Sequence, residues 1–269
     1  MSTTLEIDGH IARLTLNRPD RLNAMGPEFW DGFAGMVAQA DADPAVRVIV
    51  LSGAGRAFTA GLDLMAVMPR LPRPSASGPD GAKQAALHRM IEQMQATITS
   101  VERCRVPVIA AIHGWCIGGG VDLATACDIR LAAADAMFSV RETRLAMVAD
   151  IGTLQRLPAI VGPGIARELI YTGRDFDAAY AERIGLVNRV LPDHAALMEA
   201  ALALAAEIAA NPPLAVQGSK RVLGEATRSA VDRGLAYVAA WNTGHLMSQD
   251  LATAATAYVT KKPAEFAGR

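Results

Sequence analysis

Three acidic residues stand in glycine-rich or apolar surroundings, where a charged group is costly unless it has a function. Asp122 follows a triple glycine, Glu142 follows an apolar stretch, and Asp150 lies within one, so the acids are spaced by 20 and then 8 residues. Burial and neighbouring carboxylates raise the pKa of a carboxyl group, which suits proton transfer near neutral pH. The pattern indicates an acid–base site but does not name a reaction.

Each of these acids also has a structural interpretation. Asp122, at the start of a predicted helix, could serve the helix dipole. Glu142 could form an ion pair with Arg141 or Arg144, and Asp150 could cap the helix that follows it. Residue type and spacing alone leave both interpretations open for each acid.

Two glycine-rich turns, 58–64 and 117–122, follow apolar segments that are typical of buried strands. Such turns expose backbone N–H groups, and a helix N-terminus adds partial positive charge. Two donors aimed at one point would stabilise an enolate oxygen, and a single donor can contribute about 3 kcal/mol. Tight packing without a ligand is the alternative. The P-loop, dinucleotide and serine-nucleophile patterns are absent from the sequence. His113, beside the second turn, is interpreted as a locally packed residue rather than a base.

The elements that must position these residues alternate between strands and helices, which predicts an α/β core with parallel strands. The predicted strands are 11–16, 46–51, 108–112 and 129–132. The predicted helices are one beginning at Pro27, then 83–103, 121–128, 165–171, 178–183, 195–210 and 214–247. Segment 68–81, with four prolines and two glycines, is predicted to be a mobile surface insertion.

The composition argues against several classes of partner. With a formal net charge of -1 and 51% hydrophobic residues, we expect neither a nucleic-acid surface nor a membrane patch. Cys104, Cys116 and Cys127 fit no zinc spacing and the histidines are scattered, so buried free thiols and no metal are expected. No signal peptide, peroxisomal tripeptide or apolar run of ~18 residues is recognised, and a cytoplasmic protein is therefore predicted.

Several segments occur in the order found in one known family, and on them the chain resembles the crotonase, or enoyl-CoA hydratase/isomerase, superfamily over nearly its whole length. These segments are 16–19, 22–24, 57–61, 107–114 and the triple glycine at 118–120. The chain is most similar to the Δ3,5-Δ2,4-dienoyl-CoA isomerase branch. Hydratases carry glutamates at the positions of Asp122 and Glu142, whereas this chain has aspartate first and adds Asp150. Met147 and Val148 depart from the branch, which has a glycine–leucine pair there.

The resemblance implies a fold and an assembly. The fold would be an α/β crotonase-like ββα spiral core with a helical C-terminal region. Residues 1–200 would form the core with the CoA-binding and catalytic site, and residues 201–269 would form an oligomerisation region. A homotrimer or a homohexamer is expected.

The resemblance also implies the substrate contacts. The N–H groups of Leu62 and Gly119 would form an oxyanion hole for a thioester carbonyl. Substrate binding would involve Gly119 and the loop of Ala60, Gly61, Leu62, Asp63 and Leu64. The partner would be an acyl-CoA thioester, with coenzyme A as part of the substrate and no further cofactor.

The reaction implied is isomerisation of 3,5-dienoyl-CoA to 2,4-dienoyl-CoA, which removes a proton at C2 and adds one at C6. Our hypothesis is that Glu142 and Asp150 form the proton-transfer pair, in an order that the sequence does not assign, while Asp122 tunes or relays. The first alternative is an enoyl-CoA hydratase that adds water to trans-2-enoyl-CoA through Asp122 and Glu142. The second is a catalytically silent CoA-binding homologue.

Overall fold

The computed structural model describes residues 2–70 and 80–269, so most of the predicted insertion at 68–81 lies outside the described residues. The strands are β1 (Thr3–Asp8), β2 (Ile11–Leu16), β3 (Val48–Gly53), β4 (Val108–Ile112), β5 (Trp115–Ile117), β6 (Ile129–Ala133), β7 (Met137–Ser139), β8 (Phe176–Asp177) and β9 (Arg189–Leu191). The helices are α1 (Pro27–Ala42), α2 (Leu64–Val67), α3 (Gly81–Arg103), α4 (Gly119–Ala126), α5 (Thr153–Val161), α6 (Pro163–Thr172), α7 (Ala178–Arg183), α8 (His194–Ala209), α9 (Pro213–His245) and α10 (Gln249–Thr260).

Within the described ranges the strands form two sheets. The larger has the order β1-β2-β3-β4-β6-β9, and every neighbouring pair in it is parallel except β1 and β2. The smaller has the order β5-β7-β8, with β5 and β7 parallel. Parallel strands end at the same edge of a sheet, so the turns that follow β3 and β4 are brought close together. The predicted α/β class with parallel strands is confirmed.

Strands β3 and β4 are buried on both faces, which is why they read as continuous apolar runs. Val50 and Ile109 point to the side covered by α8, while Leu51 and Ala110 point to the side that packs with α1 and α3. This alternation follows from the two-residue period of a strand. Helices therefore cover both faces of the sheet, and their packing fixes the position of the edge at which β3 and β4 end.

The predicted division at residue 200 needs correction, because it falls inside α8. Leu197 before the division and Ala201 after it pack in the same cluster against the larger sheet. Helix α8 therefore belongs to the core as a unit. The helical C-terminal region consists of α9 and α10, and α9 packs on α3 and α5.

Several element predictions also needed correction. The strand predicted at 46–51 lies at Val48–Gly53, and the helix predicted from residue 121 begins at Gly119. Among the strands that were not predicted are β1 and β5. Both depend on pairing with a distant segment, since β1 lies antiparallel to β2 and β5 pairs with β7. In the described residues no single helix is long and apolar enough to cross a membrane, although α8 and α9, bent by 106°, pass that test as a pair.

Replacing Gly61 with alanine should destabilise the fold, because φ is +81° there and the new Cβ would lie 2.3 Å from the Ile117 carbonyl oxygen. We expect the free energy of unfolding, measured by urea denaturation, to fall by about 2–4 kcal/mol. The matched control is Gly35→Ala in α1, where the new Cβ meets nothing within 4 Å. That variant should gain about 0.5–1 kcal/mol. Similar unfolding free energies for the two variants would contradict this account.

Candidate active site

The candidate site is a cavity of about 480 Å³ between the glycine turns, α3, the segment 141–151 and the C-terminal helices. Its wall is mainly apolar, as expected of a site for an acyl chain. The apolar lining residues include Val67, Met90, Ile91, Met94, Met147, Val148, Ile151 and Leu246. Polar groups border the cavity at a few points, and two of them are the carboxyl groups of Glu142 and Asp150.

The two glycine turns meet backbone to backbone at this cavity. Thr59 pairs with Cys116 of β5, so the first turn runs beside the strand that leads into the second turn. An ideal Cβ on Gly61 would lie 3.3 Å from the Gly119 nitrogen, and one on Gly119 would lie 3.8 Å from the Leu62 nitrogen. The predicted donors, the amides of Leu62 and Gly119, are therefore close together, and both residues border the cavity.

These two amides are available to a ligand. Within residues 2–70 and 80–269, neither Leu62 nor Gly119 donates its N–H to a protein oxygen. Gly119 is also the first residue of α4, where the helix dipole places partial positive charge. The arrangement can bind an oxygen that carries negative charge.

Glu142 lies beside the second turn. Its Oε1 is 3.0 Å from the position of an ideal Cβ on Gly118, and its buried Oε2 has no hydrogen-bond partner in the described structure. The ion-pair interpretation is wrong, because Arg141 pairs with Asp175 instead and no ion pair of Glu142 with Arg144 is found in the described residues. Burial, and then the nearby carboxylate of Asp122, raise the pKa of Glu142 to about 8.

Asp150 is held by amide side chains from two helices. The Asn242 Nδ2 donates to its Oδ2 over 2.6 Å, and the Gln95 Nε2 donates to its main-chain oxygen over 2.6 Å. Burial raises the pKa of Asp150 to about 6, and the Asn242 hydrogen bond opposes that rise. The capping interpretation of Asp150 is wrong, because helix α5 has Gly152 at its N-cap without a side-chain bond.

Asp122 is the acid that binds the start of α5. Its Oδ1 accepts a hydrogen bond from the Thr153 amide over 2.5 Å, while its buried Oδ2 has no partner among the described residues. The side chain is fully buried and does not border the cavity. Burial raises the pKa of Asp122 to about 6, although the Thr153 hydrogen bond lowers it. Asp122 thus ties α4 to the segment that carries Asp150.

The structure divides the predicted binding loop into two groups. Ala60, Leu62 and Leu64 border the cavity. Gly61 and Asp63 do not: Gly61 serves the close approach of the two turns, and Asp63 pairs with Arg18 over 3.1 Å and caps α2. The second group fixes the shape of the loop.

Asn242 and Gln95 are site residues that the sequence reasoning did not identify. The buried face of α9 is otherwise apolar, as Leu235, Val238 and Ala239 show. A buried amide on such a face needs a partner, and that is the signal that could have identified Asn242.

His113 and the cysteines lie outside the cavity lining, as their interpretation as packed residues requires. The His113 ring bonds the Gly55 carbonyl oxygen over 3.0 Å and stacks on His194. Cys104, Cys116 and Cys127 are free and buried, which confirms that prediction. Among the described residues, no group of three or more His, Cys, Asp and Glu side chains is arranged to hold a metal ion.

Comparison with known proteins identifies the family. A family model described as enoyl-CoA hydratase/isomerase matches residues 6–269. A peroxisomal Δ3,5-Δ2,4-dienoyl-CoA isomerase from Arabidopsis thaliana is 45% identical over 98% of this chain and 97% of its own length. A mitochondrial one from Dictyostelium discoideum is 44% identical over 94% of this chain and 86% of its own length.

A solved structure agrees with these relatives. The crystal structure of an enoyl-CoA hydratase/isomerase from Xanthobacter autotrophicus Py2 is 33% identical, covers 96% of this chain and 93% of that chain, and superposes with a TM-score of 0.85. The predicted crotonase-like fold is thereby confirmed.

The predicted cytoplasmic location is contradicted by the same relatives, because they are peroxisomal and mitochondrial proteins. The prediction rested on the absence of a recognised signal peptide, peroxisomal tripeptide or long apolar run, and such absences do not establish a location. On the family model, the relatives and the fold together, the chain belongs to the enoyl-CoA hydratase/isomerase family.

Proposed function

We propose that this enzyme isomerises a 3,5-dienoyl-CoA thioester to the 2,4-dienoyl-CoA thioester. One observation carries the proposal: two half-buried acids, Glu142 and Asp150, border the same cavity as the paired amides of Leu62 and Gly119. A reaction with proton transfer at two separate carbons needs two such groups. The names of the similar isomerases from Arabidopsis thaliana and Dictyostelium discoideum support this choice of reaction.

The paired amides would bind the thioester oxygen. Removal of a C2 proton places negative charge on that oxygen, and donors already fixed in the backbone stabilise it without reorganising. The Leu62 and Gly119 amides have no competing protein acceptor in the described residues, which supports this role. Each donor would lower the barrier by about 3 kcal/mol.

Glu142 is proposed as the group that acts at C2. C2 is one bond from the carbonyl carbon, whose oxygen would lie at the Gly119 amide. The Glu142 carboxyl is the acid that lies beside the adjoining Gly118. Asp150, held from α3 and α9, would act at C6.

The proposed proton transfers balance without a further reagent. Glu142 takes a proton from C2, and the electron pair spreads over the dienolate and its oxygen. The double bonds at C3 and C5 become double bonds at C2 and C4 when C6 takes a proton from Asp150. The substrate loses one proton to Glu142 and gains one from Asp150. Transfer of one proton from Glu142 to Asp150, directly or through solvent, then restores the starting state of the pair.

The remainder of the substrate would lie along the first glycine turn. Ala60, Leu62 and Leu64 border the cavity, and the ion pair of Asp63 with Arg18 holds that turn in shape. The CoA portion is proposed to bind there. The homotrimer or homohexamer expected from the sequence stays a prediction; exposed apolar residues of α9 and α10, such as Tyr237 and Tyr258, would be candidates for burial in it.

The hydratase alternative is disfavoured by the position of Asp122. Its carboxyl group binds the Thr153 amide and does not border the cavity, so it is poorly placed to activate a water molecule beside the substrate.

We expect purified protein to convert 3,5-dienoyl-CoA, seen as rising absorbance of the thioester-conjugated diene. We expect hydration of trans-2-enoyl-CoA to be at least about 10²-fold less efficient in kcat/KM. Faster loss of the enoyl absorbance than gain of diene absorbance would support the hydratase, and inertness toward both substrates would support a silent homologue.

Deuterium exchange should separate the two proton transfers. In D2O, the Asp150→Asn variant should still incorporate deuterium at C2 of recovered 3,5-dienoyl-CoA, because Glu142 remains, while isomerisation falls by about 10²–10⁴-fold. Glu142→Gln should lose both exchange and isomerisation. Mass spectrometry of the thioester gives the readout, with substrate incubated without enzyme as the control. The reverse pattern would exchange the assigned roles.

The pH dependence of kcat/KM should be bell-shaped, with limbs near pH values of about 6 and about 8, set by the pKa values of Asp150 and Glu142. Between the limbs the pair holds one proton, mainly on Glu142, and the proposed reaction starts from the minority form in which that proton lies on Asp150. Below the lower limb both acids are protonated and no base remains. Above the upper limb both are ionised and no acid remains. A rate that is independent of pH between 5 and 9 would rule out a carboxyl pair that shares one proton.

A further inference from the structure

Asn242 is a polar residue at the end of an otherwise apolar buried face. It lies on α9 and is 2% exposed. The other buried residues of that helix are Val231, Leu235, Val238 and Ala239. Burying an amide without partners is costly, so its hydrogen bonds indicate what it is there to hold.

Both amide protons of Asn242 go to the segment that carries the proposed acid. Nδ2 donates to the Asp150 carboxyl Oδ2 over 2.6 Å and to the Val148 carbonyl oxygen over 2.9 Å. Two bonds from one planar amide fix the position of the Asp150 carboxyl group relative to the Val148 carbonyl group of the same segment. Asn242 itself borders the cavity, so this contact lies at the edge of the site.

We propose that Asn242 is the positioning residue for proton transfer at C6, holding Oδ2 of Asp150 so that Oδ1 alone carries the transferred proton. The inference rests on the proposed function, since it gives Asp150 the role described above. An N–H donor at Oδ2 favours the carboxylate over the acid and prevents that oxygen from taking the proton. The Asn242 donor therefore determines which oxygen of Asp150 reacts and where that oxygen lies.

Gln95 provides the structural contrast. Its Nε2 also makes two bonds, to the main-chain oxygens of Asp150 and Leu235 over 2.6 and 3.0 Å. It ties the backbone of the same segment to α9 but does not contact the carboxyl group. Loss of Gln95 should loosen the segment, whereas loss of Asn242 should change the carboxyl group itself.

The test is Asn242→Leu, which has a similar size and no donor, together with Asn242→Asp, which places a second carboxyl group against Asp150. In both variants kcat should fall by about 10- to 100-fold with little change in KM. The acid limb of the pH profile should move upward by about one unit, because the carboxylate of Asp150 loses its donor and its pKa rises. Deuterium incorporation at C2 should continue at nearly the wild-type rate.

The matched control is Thr243→Val, one residue along α9. Thr243 bonds His88 and the Ala239 carbonyl oxygen and does not touch Asp150. It should keep the wild-type pH profile. Thermal unfolding of all variants shows whether the fold is kept.

The outcomes separate this inference from the function on which it rests. Wild-type isomerisation with an unchanged kcat and acid limb in Asn242→Leu would overturn the inference alone. A parallel fall of C2 exchange and isomerisation in Asn242→Leu would overturn it too, since that is the mark of general structural damage. A wild-type protein that does not isomerise would overturn the proposed function and this inference together.

Discussion

The close approach of two backbone turns is the constraint on which the rest of the site depends. Gly61 must lack a side chain because the carbonyl oxygen of Ile117 occupies the space where a Cβ would stand. That contact is possible only because β3 and β4 are parallel neighbours and their following turns share an edge. Packing of helices on both faces of the sheet fixes that edge. The two amides that face the cavity are thus a product of sheet topology rather than of any side chain.

Around this backbone feature the chain places three carboxyl groups in an environment that resists their charge. Desolvation is the largest influence on all three acids, and it raises the pKa of each one above that of a solvated acid. The three acids differ in the hydrogen-bond donor that opposes this rise in pKa. Asp122 has the Thr153 amide, Asp150 has Asn242, and Oε2 of Glu142 has no partner in the described structure. The pKa of Glu142, at about 8, therefore lies above the pKa values of Asp122 and Asp150, at about 6, and acid–base chemistry at two carbons uses two acids of different proton affinity.

Much of the framework could be predicted from the sequence because local pattern decides it. The predicted bounds of β2, β4 and α7 match the structure, since alternating or continuous apolar residues and strong end signals define them. The three acids and the two glycine turns were also found, because unusual residues in apolar surroundings are visible along the chain. What failed depends on distant pairing: β5 requires β7, and the partner of Asp122 is an amide 31 residues away. The role of Asn242 depends on an acid 92 residues earlier, which no local pattern reveals.

The bond between Asn242 and Asp150 also limits how far α9 can move while the site stays intact. At 2.6 Å it is a short hydrogen bond, and a displacement of α9 by about 1 Å would lengthen it past the distance at which such a bond exists. The neighbouring Trp241 is 44% exposed, so the helix turn whose Asn242 side chain binds Asp150 also presents a side chain to the exterior. A contact on the outer face of α9 that displaced this helix would therefore also displace the Oδ2 atom of Asp150 or break its hydrogen bond.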